Sequence, residues 1–117
     1  MEQLAIIQQS VQTKYNVIVI SLEGVLNINS AEELGIAFRD LFEKKQYRIV
    51  LNIGKLTYLS SAGIGLVMAN LKEARENGGD IKISNTPPDI FKVFELVELP
   101  ALIQMFKHEE DAIAGFQ

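Results

Sequence analysis

The residue pattern predicts an α/β fold: a mixed, mostly parallel four- to five-stranded sheet with about four helices. Three observations predict it. Two runs, Val17–Ile20 and Arg48–Ile53, are nearly all apolar and read as strands buried on both faces. Helix-period apolar stripes separate such runs. Cap and stop signals punctuate the joints, in the order strand, strand, helix, strand, helix, strand, helix, with a closing strand and helix.

Leu4–Val11 and Val17–Leu22 read as an antiparallel hairpin turning at Thr13–Asn16. Gln8, Gln9, Ser10 and Gln12 make the first strand the more exposed edge. Glu23–Asn29 reads as a loop, and Ser30 with Glu33 as the capping box that opens a helix. Leu34, Ala37, Phe38, Leu41 and Phe42 then form an amphipathic stripe. Arg48–Ile53 follows as a strand parallel to the second, reached by a right-handed crossover. A second helix runs to about Glu76, stopped by Asn77-Gly78-Gly79. Ile81–Ile83 is a short strand. Thr86 reads as the cap of a third helix, with Pro87 at its first position, Asp89 in the capping box, and Ile90, Val93, Phe94 and Val97 as its buried stripe. Leu102–Phe106 reads as an edge strand and Glu109–Phe116 as a closing helix.

The 117 residues suffice for one domain, 1–117, with a real core. Hydrophobic and charged contents of 48% and 22% are those of a soluble globular chain. A net charge of −4, without a Lys/Arg cluster, argues against nucleic-acid binding. The absence of cysteine excludes disulfides and thiolate chemistry and fits a reducing cytoplasm. Met1-Glu2-Gln3 is no signal-peptide start, and no apolar run is long enough for membrane insertion. The exposed first strand fits either a monomer or an oligomer.

Tyr58-Leu59-Ser60-Ser61-Ala62-Gly63-Ile64-Gly65-Leu66 breaks ordinary rules, placing two serines and two glycines at a helix start. Each helical glycine costs about 1 kcal/mol relative to alanine. With Ser60 as N-cap, Ser61 is the first helical residue and Leu59 and Ile64 form a hydrophobic staple. Ser61 then points outward, where free N–H groups and the helix dipole favour an anion such as a phosphate. Phosphorylation would add about −1.5 to −2 charges at one point. On cap chemistry alone, the plainer reading of two caps and nothing more is the stronger, because serine is a favoured cap everywhere. The glycines suit tight packing on the sheet and close approach of a partner equally well.

Catalysis is poorly supported. His108 is the only histidine, and Ser61 has Leu59 and Gly63 where a nucleophile elbow needs glycines. Gly63-Ile64-Gly65 lacks the rest of a dinucleotide or P-loop motif. Glu109, Glu110 and Asp111 are consecutive and cannot all face one metal ion. No cofactor or metal is expected.

The stretch from Tyr58 to Gly65 resembles the signature of STAS domains, the sulphate-transporter and anti-sigma-factor-antagonist fold. Gly24-Val25-Leu26-Asn27 resembles the family's earlier Gly-x-aliphatic-Asp loop, and Asn77-Gly78-Gly79 before a short strand also fits. The resemblance covers essentially the whole chain and implies a non-enzymatic anti-sigma factor antagonist. It places Ser61 on the serine phosphorylated by an ATPase-type anti-sigma factor/serine kinase, with Ser60 as an alternative acceptor. The unmodified antagonist would hold the kinase and free a sigma factor; the phosphorylated form would let go, and a serine phosphatase would reset it. The implied partner surface comprises Asn27, Ile28, Asn29, Ser60, Ser61, Ala62, Gly63, Gly65, Ala69 and Lys72. Asn27, Asn52 and Ser60 stand where the family commonly has aspartate, and each swap removes a negative charge from the presumed face, two of them beside Ser61. The alternative is a STAS module that scaffolds a lipid-transport or signalling complex without phosphorylation.

Overall fold

The computed structural model describes residues 3–116. The hairpin strands are β1 (Leu4–Gln12) and β2 (Asn16–Leu26); α1 (Ile28–Glu43) leads to β3 (Arg48–Leu59) and α2 (Ser61–Glu76) to β4 (Asp80–Ser84). After α3 (Pro88–Leu96), a 3₁₀ turn at Leu99–Ala101 leads to β5 (Met105–Phe106) and α4 (Glu109–Ala114). The sheet order is β1-β2-β3-β4-β5, the same as the order along the chain. The β1–β2 pair is antiparallel and every other pair is parallel.

That order decides the layers. Each parallel crossover steps the same way across the sheet, so right-handed connections put α1, α2 and α3 on one face. There Ile18, Ile20, Ile49, Leu51, Ile81 and Ile83 form one core with Leu34, Phe38, Val67, Leu71 and Phe94. On the other face Val17, Val19 and Val50 pack with Ala112 of α4. The Val17–Ile20 run is therefore buried from both sides, as its unbroken apolar pattern predicts.

The strands run longer than expected. β2 continues to Leu26, so the expected loop at Glu23–Asn29 is mostly strand, and β3 continues from the expected Arg48–Ile53 to Leu59. Register irregularities between Ser21 and Glu23 and between Gly24 and Val25 accommodate the extension. Gly24 makes it possible: its φ is +104°, and a Cβ there would lie 2.1 Å from the Gln3 carbonyl oxygen.

The extension moves the start of α1. Asn27, not Ser30, is the N-cap, and its side chain accepts the N–H groups of Asn29 and Ser30. Ser30 completes the capping box from the N3 position in place of Glu33, accepting the Asn27 N–H at 2.9 Å. The α1 stripe from Leu34 to Phe42 is buried as expected.

α3 also starts later than expected. Pro87 is the N-cap and Pro88 the first helical residue, and Thr86 makes no capping bond. The reason is steric: a residue before proline is driven out of the helical region, so Pro87 cannot enter the helix ahead of Pro88. Only Ile90 and Phe94 of its expected stripe are buried; Val93 and Val97 are 43% and 52% exposed. The closing strand shrinks to Met105–Phe106, with Leu102 exposed, and α4 ends at Ala114. Among the described residues no helix is long and apolar enough to cross a membrane.

Candidate functional site

The residue pair Leu26↔Leu59 closes the β2–β3 ladder, and one helix leaves immediately after each strand. The two N-caps, Asn27 and Ser60, therefore sit side by side at the carboxyl ends of adjacent parallel strands. A hydrogen bond from the Ser60 N–H to the Leu26 carbonyl, 2.9 Å, ties them together.

Ser60 is the cap of α2, with extended backbone (φ −90°, ψ 167°) and its hydroxyl accepting the Gly63 N–H at 3.2 Å. Ser61 is the first helical residue and is exposed. One serine thus serves the helix and the other faces solvent. Neither α1 nor α2 carries an acidic side chain in its first turn. The positive ends of two helix dipoles lie here without a compensating carboxylate of their own, a setting that favours an added anion.

The two glycines separate into different roles. A Cβ on Gly63 would come within 2.8 Å of both Leu26 Cγ and Leu59 Cδ1. Gly63 is buried and lets α2 settle onto the strand ends; it positions the surface without presenting itself to a partner. A Cβ on Gly65 would meet nothing within 4 Å. Gly65, Ala69 and Lys72 follow Ser61 as one exposed stripe at helical spacing. Ala62 is half-buried beside it.

On the neighbouring helix Asn29 is exposed and Ile28 is 75% exposed, an unusual state for isoleucine in a first turn. Tyr58, just ahead of the caps, is 53% exposed, a placement the sequence pattern does not predict. Its position in an apolar–polar run gave no sign that β3 would carry it clear of the core.

Asn52 does not belong with this group. Its amide donates to Glu109 Oε1 at 2.8 Å, and its oxygen accepts the Gly54 N–H at 3.0 Å. It therefore lies on the sheet face covered by α4, opposite α1 and α2. The expectation that it shares the Ser61 face is corrected: strand alternation sends Asn52 the same way as Val50. His108, the N-cap residue of α4, belongs to that far layer too, apart from the α2 start that carries Ser61. Among the described residues no group of three or more His, Asp or Glu side chains is arranged to hold a metal ion.

The STAS domain family model matches residues 8–112. The chain belongs to the STAS domain family. This STAS domain is 30% identical over 100 residues to the putative anti-sigma factor antagonist BtrV of Bordetella bronchiseptica, covering 86% of each chain. Its backbone is similar to that of the Bacillus cell fate determinant SpoIIAA in the phosphorylated form. There the TM-score is 0.74 at 26% identity, over 97% of this chain and 100% of that one. An anti-sigma factor antagonist from Mycobacterium paratuberculosis superposes with a TM-score of 0.80, covering 95% of this chain and 93% of that one; at 17% identity it speaks for the fold alone.

Proposed function

We propose that this STAS domain is an anti-sigma factor antagonist, with Ser61 as the phosphorylated switch residue. In this reading it binds an anti-sigma factor that is also an ATPase-type serine kinase, and so regulates sigma-factor-dependent transcription. The observation that carries the reading is the division of labour between adjacent serines. Ser60 holds the helix end, while Ser61 stands exposed at the same helix start. The relatives named as anti-sigma factor antagonists support the partner class.

The proposed docking surface is Ile28 and Asn29 from α1 together with Ser61, Gly65, Ala69 and Lys72 from α2. Small residues at 65 and 69 allow close approach of another backbone. A dianion on Ser61 would then sit in the middle of a close-packed interface and weaken it by charge and desolvation. A serine phosphatase would restore the binding form.

Phosphotransfer from the kinase of this chain's own system tests the proposal. Label should appear on the wild type and on Ser60→Ala, and disappear with Ser61→Ala. Equal labelling of Ser61→Ala would move the acceptor elsewhere. Unchanged partner affinity in Ser61→Asp would overturn the switch and favour a scaffold role without phosphorylation.

A further inference from the structure

The two edges of the sheet differ. β5 closes one edge with only two residues, whereas β1 lines the other with nine, Leu4–Gln12. Hydrogen bonds at both ends of the hairpin show which way the β1 backbone faces. The Val25 N–H donates to the Gln3 carbonyl at 3.1 Å, and the Thr13 N–H to the Tyr15 carbonyl at 3.0 Å. Antiparallel ladders alternate, so Ala5, Ile7, Gln9 and Val11 turn their N–H and C=O groups to β2. Those of Leu4, Ile6, Gln8, Ser10 and Gln12 point away from the sheet.

Sheet edges are normally blunted by lysine, proline, a bulge or a covering segment. β1 is uncharged, contains no proline and pairs with β2 without a register shift. Gln8, Ser10 and Gln12 are exposed on one side of the strand, and Ala5, Ile7 and Gln9 on the other. Ile7 is 51% exposed, a large apolar side chain beside an open edge.

We propose that β1 pairs antiparallel with β1 of a second copy of this chain, about a two-fold axis at Gln8, joining the two five-stranded sheets into one. Register and charge select this occupant. With the axis at Gln8, that residue faces Gln8 of the second copy, Ile6 faces Ser10 and Leu4 faces Gln12. Every outward backbone group then has a partner, and each facing pair exchanges two hydrogen bonds. The same register sets Ala5 beside Val11 of the second copy and brings the two Ile7 side chains diagonally across the axis, within reach of each other. The chain carries a net charge of −4, yet this strand carries none, so the seam holds no like charges. At the turn end of the hairpin Lys14 and Arg48 both sit over the Tyr15 ring, without an acidic partner among the described residues. In sequence the other end of β1 follows Glu2. Antiparallel copies bring these unlike ends together, whereas a parallel copy would match like with like. β1 shares no residue with the Ser61 surface, so the dimer would present that surface twice.

Analytical ultracentrifugation of the full chain from about 5 μM to about 1 mM tests the proposal. The weight-average mass should rise from the 13.1 kDa of one chain toward twice that value, with a Kd of about 100 μM or tighter. Gln8→Pro removes a donor that points away from β2, a change edge strands tolerate. It should weaken the dimer more than about tenfold while leaving the circular dichroism spectrum unchanged. Gln8→Lys and Gln8→Glu each set like charges face to face and should weaken it about fivefold at low salt. An equimolar mixture of those two variants should dimerise at least as tightly as the wild type. A chain that stays monomeric over this range overturns the proposal and leaves the edge to a strand of another protein. So does a dimer that neither Gln8→Pro nor Gln8→Lys weakens, or a mixture that associates no more tightly than its components.

Discussion

The Asn52 amide donates to the Glu109 carboxylate at 2.8 Å, joining β3 to the first turn of α4 across 57 positions of sequence. The family commonly has aspartate at position 52. In this chain an aspartate would face Glu109 directly, and the amide turns that repulsion into a hydrogen bond. Asn52→Asp should therefore destabilise the fold at neutral pH by about 1 kcal/mol. Two facing carboxylates raise each other's affinity for protons in the folded state. The penalty is thus full above the carboxylate range and fades as the pH falls and one group protonates. Chemical denaturation of variant and wild type at neutral and mildly acidic pH measures the difference, and adding Glu109→Gln should restore most of it.

Gly63 and Gly65 should respond to alanine in opposite ways. Gly63→Ala drives a methyl into Leu26 and Leu59 at 2.8 Å and should cost about 1–3 kcal/mol. Gly65→Ala enters open space on a helix and should stabilise by up to about 1 kcal/mol. If the α2 stripe is the docking surface, the more stable Gly65→Ala protein should bind its partner less well. Thermal melts paired with a binding titration separate the two effects.

Ser60→Ala should cost about 1 kcal/mol, because it removes the acceptor for the Gly63 N–H. Ser61→Ala should change stability by less than about 0.5 kcal/mol, as an exposed side chain away from the cap. Equal losses in urea unfolding would show that both serines serve the helix end.

Asn27→Asp should keep the cap, since its side-chain oxygen already accepts the Asn29 and Ser30 N–H groups. The added charge at the helix N-terminus should stabilise by about 0.3–1 kcal/mol at low salt, and less at high salt. A carboxylate held by N–H donors releases its proton more readily when folded. The gain is therefore present above the ordinary aspartate range and is lost as acid protonates the group. Melting temperatures across pH and ionic strength measure it. Asn27→Ala should instead lose about 0.5–2 kcal/mol.

Much of the fold was legible because its signals are local. The double-sided burial of Val17–Ile20, the α1 stripe and the α2 start at Ser60–Ser61 each follow from side-chain period or from hydrogen bonds spanning three or four residues. Where local signals competed, the sequence misled. Ser30 and Thr86 are both good cap types, yet Asn27 and Pro87 hold those places. A bulged strand at Gly24 carried β2 onward in one case, and consecutive prolines delayed the helix in the other.

By itself the sequence determined the α/β order, the parallel strands and the exposed serine beside a capping serine, since periodicity and cap chemistry act within a few residues. Only the tertiary structure decided which glycine packs and which stands open, and that Asn52 faces away from Ser61. Those outcomes depend on contacts between segments distant along the chain, set by sheet order and strand register, and neither quantity is written in any local pattern.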